Sequence, residues 1–280
     1  KRFGLATIQD NIDDVYEATL DLLHERSPCQ QAFDADDPEN AEHDEVLIDS
    51  VTDVVGVLAQ VVGGEFEPIF RQMFPNLVKF CQPHRPASDR SMAIGCIAEV
   101  TEAIGTRLEE YLPGVFTVVL AGLNDPSVAV RRNSAFCLGT IVTTNIPVVR
   151  QAYAQCLTAL QPLFNIAGAS ERDKEQVMAT RDNAASALAK MITAGAEALP
   201  LADVVKLMLS ALPLVEDQSE AKYVYPCVIQ LFSTHPDLMT PHIPAVISIF
   251  SQVLGTDHVE EPVKRGMVML CKSFAQKGGP

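Results

Sequence analysis

The sequence predicts an all-α protein whose helices pair and stack as a repeat. Five basic residues recur along its 280 residues at intervals of 41, 50, 41 and 42. Each is followed by a small or apolar residue three positions later and an apolar residue seven positions later, the spacing of a helix face that packs against a core. The five positions are Arg90, Arg131, Arg181, Lys222 and Lys264.

Repeats of about 40–47 residues with helical patterning are typical of HEAT repeats. Each such repeat contributes an A helix and an antiparallel B helix, so we predict an α-solenoid of about six helix pairs in a right-handed superhelical arc. Because stacked repeats share a continuous core, residues 1–280 are expected to form a single solenoid segment. The chain begins with Lys1 inside the periodic pattern, so we expect a segment of a longer solenoid.

The clearest repeat runs from residue 107 to residue 145. Its A helix covers RLEEYLPGVFTVVLAGL, in which apolar residues follow helical spacing. Asn124 or Asp125 can cap the B helix, Pro126 suits its first turn, and the helix should end before Pro147. The same pattern predicts A and B helices at 11–26 with 45–62, 66–80 with 88–104, 147–164 with 176–193, 201–212 with 219–233, and 239–254 with 259–275.

Two insertions interrupt the period. Residues 167–175 account for the interval of 50 and should form a flexible turn. The segment 34–45 is strongly acidic, so charge repulsion predicts a mobile loop that is a solvated linker, an electrostatic lure for a basic partner, or both. Its acidic residues are Asp34, Asp36, Asp37, Glu39, Glu42, Asp44 and Glu45.

The overall charge narrows the choice of partner. The chain carries 36 acidic and 21 basic residues, a net charge of −15. Phosphate binding calls for the opposite sign, so we expect neither direct nucleic-acid binding nor attachment to an anionic membrane. A basic protein is the natural complement, with long-range attraction speeding association. The alternative is that the acidity only keeps the protein soluble.

No pattern of catalysis or metal binding is visible in the sequence. It contains no glycine-rich nucleotide loop, no GxSxG, no HExxH and no Cys/His cluster. The seven cysteines show no CxxC or disulfide spacing, which fits a reducing compartment. We therefore predict no enzyme activity, no cofactor and no metal site, and no apolar run long enough to span a membrane.

The repeating basic residues are interpreted as structural. An acidic residue stands six positions before three of them: Asp125, Glu175 and Glu216. In stacked helix pairs, such acids and bases can form a ladder of ion pairs between neighbouring repeats. We favour a role in stacking over a role in binding.

A second face of the B helices is the candidate binding surface. Residues that lie two, five, nine and twelve positions after the basic residue share one side of a helix. In this sequence they include carboxylates, amides, hydroxyls and an aromatic residue that we expect to be exposed. Inner helices of a solenoid line the concave surface that grips partners. The alternative is an ordinary solvated face. The candidate contact residues are Glu99, Glu102, Asn133, Phe136, Thr140, Asp182 and Asn183.

Several stretches resemble a known family. DRSMAIGCIAEVTEAIG, DPSVAVRRNSAFCLGTIV, TRDNAASALAKMI and LPLVEDQSEAKYVYPCVIQLF resemble the C-terminal HEAT repeats of the karyopherin-β nuclear transport receptors, in particular the importin-4 branch. The resemblance covers residues 45–275. It implies a C-terminal fragment of a receptor that shuttles between cytoplasm and nucleus.

The resemblance also implies a cargo and a site. The cargo would be basic protein, such as histone H3 and H4 tails or ribosomal proteins, held by acids and amides of the concave face. Carried over by position, these acids and amides fall on Glu99, Glu102, Asn133 and Asn183. Ran GTPase would bind N-terminal repeats that this chain lacks. The alternative function is a HEAT scaffold for a multi-subunit assembly, such as a phosphatase scaffold or a folding cofactor.

Overall fold

A computed structural model describes residues 9–31, 38–167 and 173–277, and this part of the chain contains helices and turns but no strand. The prediction of an all-α fold is confirmed. Contacts divide the chain into two compact units, Lys1–Ile146 and Pro147–Pro280. Each unit is built from consecutive helix pairs.

The first unit stacks its B helices side by side. Its most extensive helix contacts join α3 (Pro38–Val62) to α5 (Ala87–Ile104) and α5 to α7 (Val128–Thr143). The A helices α4 (Glu67–Phe80) and α6 (Leu112–Gly122) also pack on α5. The polypeptide between α5 and α6 forms a 3-10 turn over Gly105–Tyr111, so the predicted A helix becomes α-helical only near Pro113. The helices are α1 (Ile12–Leu23), α2 (Pro28–Gln31), α3 (Pro38–Val62), α4 (Glu67–Phe80), α5 (Ala87–Ile104), α6 (Leu112–Gly122) and α7 (Val128–Thr143).

The second unit follows the same plan. Helix α9 (Lys174–Gly195) packs on α10 (Leu201–Ser210) and α11 (Ala221–Thr234), and α11 in turn packs on α14 (Glu261–Lys277). Together the two units contain the six predicted A and B pairs, which confirms the helical periodicity. The helices are α8 (Tyr153–Leu160), α9 (Lys174–Gly195), α10 (Leu201–Ser210), α11 (Ala221–Thr234), α12 (Pro236–Met239), α13 (Ile243–Val253) and α14 (Glu261–Lys277).

The predicted acidic loop is wrong for its second half. Helix α3 begins at Pro38, so residues 38–45 are helical. Proline suits the first position of a helix, which is where Pro38 lies. Asp34, Asp36 and Asp37 lie outside the described residues, as do residues 168–172 of the second insertion.

One described stretch, Val46–Phe80, is long and apolar enough by composition to cross a membrane, contrary to the expectation from sequence. It comprises the end of α3, a 3-10 turn at Gly63–Phe66 and α4. Gly63 follows the end of α3 and has a φ of 68°, a left-handed conformation that glycine adopts without strain. Phe70 and Leu77 are fully buried inside the protein. Part of this stretch thus contributes to the core of the first unit, whereas Val46, Val54 and Val57 are exposed.

The interpretation of the basic residues as stacking residues is confirmed at Arg90. Its guanidinium donates to both carboxylate oxygens of Asp125, at 2.8 Å each. Asp125 also accepts a hydrogen bond from the backbone N–H of Ser127 at 2.8 Å, and Arg131 donates to the backbone carbonyl of Asp125 at 2.6 Å. A single carboxylate therefore ties α5 to the turn that begins α7.

Asp125→Asn is expected to destabilise the protein near neutral pH by about 2–3 kcal/mol, the usual scale for hydrogen bonds to charged groups. Burial alone would raise the pKa of Asp125, but the hydrogen bonds from Arg90 and Ser127 hold it below its ordinary value. A lowered folded-state pKa stabilises the protein above the unfolded pKa, and this contribution is lost as pH falls through the folded pKa. Urea unfolding at neutral and acidic pH measures the difference between variant and parent.

The matched control is Glu65→Gln, because Glu65 pairs with Arg107 in a largely exposed ion pair at 2.9 Å. It should cost less than about 1 kcal/mol. A stability deficit of Asp125→Asn that stays constant down to strongly acidic pH would argue against this role of the ion pair.

Candidate functional site

A cleft of about 480 Å³ lies across the three B helices of the first unit. Helix α3 contributes Asp49 and Asp53 to its walls, α5 contributes Glu99, and α7 contributes Asn133 and Phe136. Three of the seven residues predicted as contacts are therefore brought together. Stacking explains this, because equivalent offsets on adjacent parallel helices share one side of the stack.

The acidic wall of the cleft is made by two helices. Asp53 is exposed, whereas Glu99 is half-buried. Burial raises the pKa of Glu99, and the negative charges of Asp53 and Glu102 raise it further. A cation beside these carboxylates offsets their mutual repulsion and so stabilises the charged form of Glu99.

Sequence reasoning missed the contribution of α3. This helix has no Lys or Arg at the repeating position, so the count of offsets began only at Arg90. The signal that could have revealed it is the spacing of Asp49 and Asp53, which are four residues apart and therefore share one face of a helix. Arg132, also missed, lines the same cleft from α7.

Asn133 lines the cleft and joins α7 to α5. Its Nδ2 donates to the carbonyl oxygen of Ser91 at 2.8 Å and to the Ser91 hydroxyl at 3.0 Å. Its Oδ1 accepts from Arg132 Nε at 3.4 Å. Phe136 is half-buried, not exposed as expected, so only part of its ring is available to a ligand.

The other predicted contact residues lie elsewhere. Glu102 is exposed one turn along α5. Thr140 is buried, and its hydroxyl donates to the carbonyl oxygen of Phe136 at 3.2 Å. Glu102 is therefore an acidic neighbour of the cleft, whereas the side chain of Thr140 is not available to a ligand.

Asp182 and Asn183, in the second unit, face the interior instead of solvent. Asp182 Oδ2 accepts hydrogen bonds from three consecutive backbone N–H groups, those of residues 215, 216 and 217, at 2.9, 2.7 and 3.0 Å. Asn183 Nδ2 donates to Asp217 Oδ2 and to the carbonyl oxygen of Ala179, both at 2.9 Å. Both side chains are almost completely buried and form hydrogen bonds to the turn before α11. They are therefore not available to a ligand.

The described residues include no group of three or more His, Cys, Asp or Glu side chains placed to hold a metal ion. All seven cysteines are free thiols. Cys96 lines the cleft, and burial raises the pKa of its thiol, with the charge of Glu99 adding to the effect. It contributes to the cleft as a small neutral side chain.

Comparison with known proteins gives a consistent result. Residues 39–144 match the family model described as "Importin subunit beta-1-like, TPR repeats". The chain is 27% identical to the probable importin subunit beta-4 of Schizosaccharomyces pombe over 85% of its own length and 22% of the relative's. It is 26% identical to importin-4 of Homo sapiens over 85% of its own length and 21% of the relative's. The chain thus spans about a fifth of these relatives.

Solved structures share the fold. Crystalline importin beta superposes with a TM-score of 0.69 at 15% identity, covering 95% of this chain and 32% of that one. Kap121p bound to the SUMO protease Ulp1p gives a TM-score of 0.71 at 17% identity, covering 94% of this chain and 24% of that one. These likenesses show an α-solenoid fold, as predicted. The sequence similarity to importin-4 proteins supports the resemblance to the karyopherin-β family, and the solved structures show the fold.

Proposed function

We propose that this chain is a cargo-binding part of a nuclear transport receptor that shuttles between cytoplasm and nucleus. Its cargo is a basic protein segment, such as a lysine-rich histone tail or a ribosomal protein, and it binds in the cleft of α3, α5 and α7. Similarity to importin-4 proteins and a net charge of −15 support the proposal.

The observation that carries this proposal is the acidic wall of the cleft. Glu99 is half-buried and electrostatically coupled to Asp53 on the neighbouring helix. A lysine ammonium entering between the two carboxylates relieves their repulsion and exchanges its hydration shell for charge-assisted hydrogen bonds. Met92 and Phe136 line the same cleft and offer apolar surface to the aliphatic stem of a lysine.

Titration with a lysine-rich histone H3 tail peptide tests the proposal. We expect micromolar binding that weakens with added salt, because part of the attraction is screened. Asp53→Lys and Glu99→Lys should each weaken binding by about tenfold or more, since each reverses a charge that faces the ammonium. Isothermal titration calorimetry over a salt series measures the affinities.

Glu109→Lys is the matched control. Glu109 is exposed in the 3-10 turn before α6 and does not line the cleft, yet its replacement changes the net charge by the same amount. If all three variants weaken binding equally, net charge and not the cleft attracts the peptide. If the parent protein does not bind basic peptides but binds a folded neutral partner, the receptor proposal fails. The alternative function, a scaffold for a multi-subunit assembly, is then correct.

A further inference from the structure

Gly56, in the middle of α3, directly faces Glu99 of α5. A Cβ atom placed on Gly56 would lie 1.6 Å from Glu99 Oε2 and 2.8 Å from Glu99 Cδ. Atoms that are not bonded to each other cannot approach so closely, so the carboxyl group of Glu99 occupies the space that any side chain at position 56 would fill. The backbone of α3 and the carboxyl group of α5 are thus in direct van der Waals contact.

The backbone conformation of α3 gives no other reason for a glycine here. Gly56 lies inside a continuous helix and has no positive φ, and glycine in a helix interior is less favourable than alanine. Close approach of another group is the usual compensation for such a glycine. Here the approaching group is the carboxyl end of Glu99, and Asp53 stands one helical turn away on the same helix.

The next pair of B helices shows a looser form of the same arrangement. A Cβ atom on Gly95 of α5 would lie 3.3 Å from Nδ2 of Asn133 on α7. In both pairs a glycine lies beneath the polar side chain that the following B helix presents to the cleft. The contact at Gly56 is the tighter one, and its partner is a carboxylate.

We propose that Gly56 is the positioning residue of the cleft: by lacking a side chain, it holds Glu99 against α3 and so creates a two-helix carboxylate pair with Asp53 that accepts one ammonium group. This inference rests on the proposed function. The other charged groups that line or flank the cleft are Asp49 of α3, Glu102 of α5 and Arg132 of α7. The raised pKa of Glu99 is the electrostatic consequence of this placement, through burial first and then through Asp53 and Glu102.

Gly56→Ala in the full chain tests the inference. The added methyl group collides with the flexible end of Glu99, and alanine favours a helix more than glycine does, so the variant should fold with an unchanged or higher melting temperature. Glu99 should then move towards solvent. In a ¹³C NMR pH titration, the carboxyl of Glu99, assigned with Glu99→Gln, should titrate above the ordinary value of about 4.3 in the parent and closer to it in the variant. Affinity for an acetyl-capped lysine-rich peptide should fall by about threefold to tenfold.

Gly95→Ala is the matched control. It adds the same methyl group to α5, but there the methyl group meets Asn133 of α7 and not Glu99. It should leave the titration of Glu99 unchanged. The positioning role is refuted if Glu99 titrates identically in the parent and in Gly56→Ala. A second peptide, in which the lysines are acetylated and therefore uncharged, separates the two proposals. If the titration differs as expected but the parent protein binds both peptides equally well, Gly56 does position Glu99. In that case both the ammonium site and the proposed function are refuted.

Discussion

Glu220→Gln is expected to destabilise the second unit by about 3–5 kcal/mol, the usual cost of breaking a buried ion pair. Lys190 Nζ lies 2.7 Å from Glu220 Oε2, and the two side chains are only 4% and 3% exposed. The hydroxyl of Ser186 donates to the same carboxylate oxygen, and the ring centroid of Tyr223 lies 4.1 Å from Nζ. With the carboxylate neutralised, the buried ammonium of Lys190 loses its ion pair with Glu220.

Removing both charges should cost less than removing one. The double variant Lys190→Met with Glu220→Gln leaves no buried charge to be compensated, so it should be more stable than Glu220→Gln alone. Urea unfolding followed by circular dichroism measures both. Glu261→Gln serves as a control, because Glu261 pairs with Lys264 at 3.4 Å and is 73% exposed; its cost should be below about 1 kcal/mol. Equal costs for Glu220→Gln and Glu261→Gln would contradict the assignment.

Asp182→Ala should cost about 3 kcal/mol or more, because it leaves three backbone N–H groups of one turn without their acceptor. Asp182→Asn retains one oxygen at the same place and should cost clearly less. Since these N–H groups belong to the turn that precedes α11, hydrogen exchange at residues 215–217 should accelerate in the alanine variant before the rest of the unit is affected. Exchange measured by NMR or mass spectrometry checks the location of the effect.

The pH dependence provides a second measurement at the same residue. Burial raises the pKa of Asp182 more than the hydrogen bonds from the backbone of residues 215–217 lower it. A folded-state pKa above the unfolded value means that the folded protein binds the proton more readily, so this carboxyl lowers stability as pH rises from the unfolded pKa to the folded pKa. Asp182→Asn cannot titrate and should lack this slope. A parent and an asparagine variant with parallel stability profiles over that range would rule out the raised pKa.

Periodicity predicted most of the fold, because the spacing of apolar residues determines which side of each helix is buried. All six helix pairs were found this way, and Arg90 proved to be a stacking residue through Asp125. The segment 38–45 was mispredicted because its charge outweighed the weaker local signal for a helix, namely Pro38 at the first position.

The candidate site was only partly predictable. The offsets that expose Glu99 on α5 also select Asn183, Ser186 and Lys190 on α9, yet these three are buried. On α9 the turn at residues 215–217 and Glu220 cover the face with hydrogen bonds and an ion pair. A sequence pattern places a polar residue on a helix face, but it carries no information about whether a distant turn folds over that face.

The sequence by itself determined the helices, their pairing and the acidic character of the chain, because these depend on residue spacing and charge. Only the tertiary structure decided which polar residues are free to meet a ligand. That choice depends on contacts between residues some 40 positions apart, such as Gly56 beneath Glu99. The cleft of α3, α5 and α7 is therefore a product of stacking, where a missing side chain on one helix makes room for the carboxylate of the next.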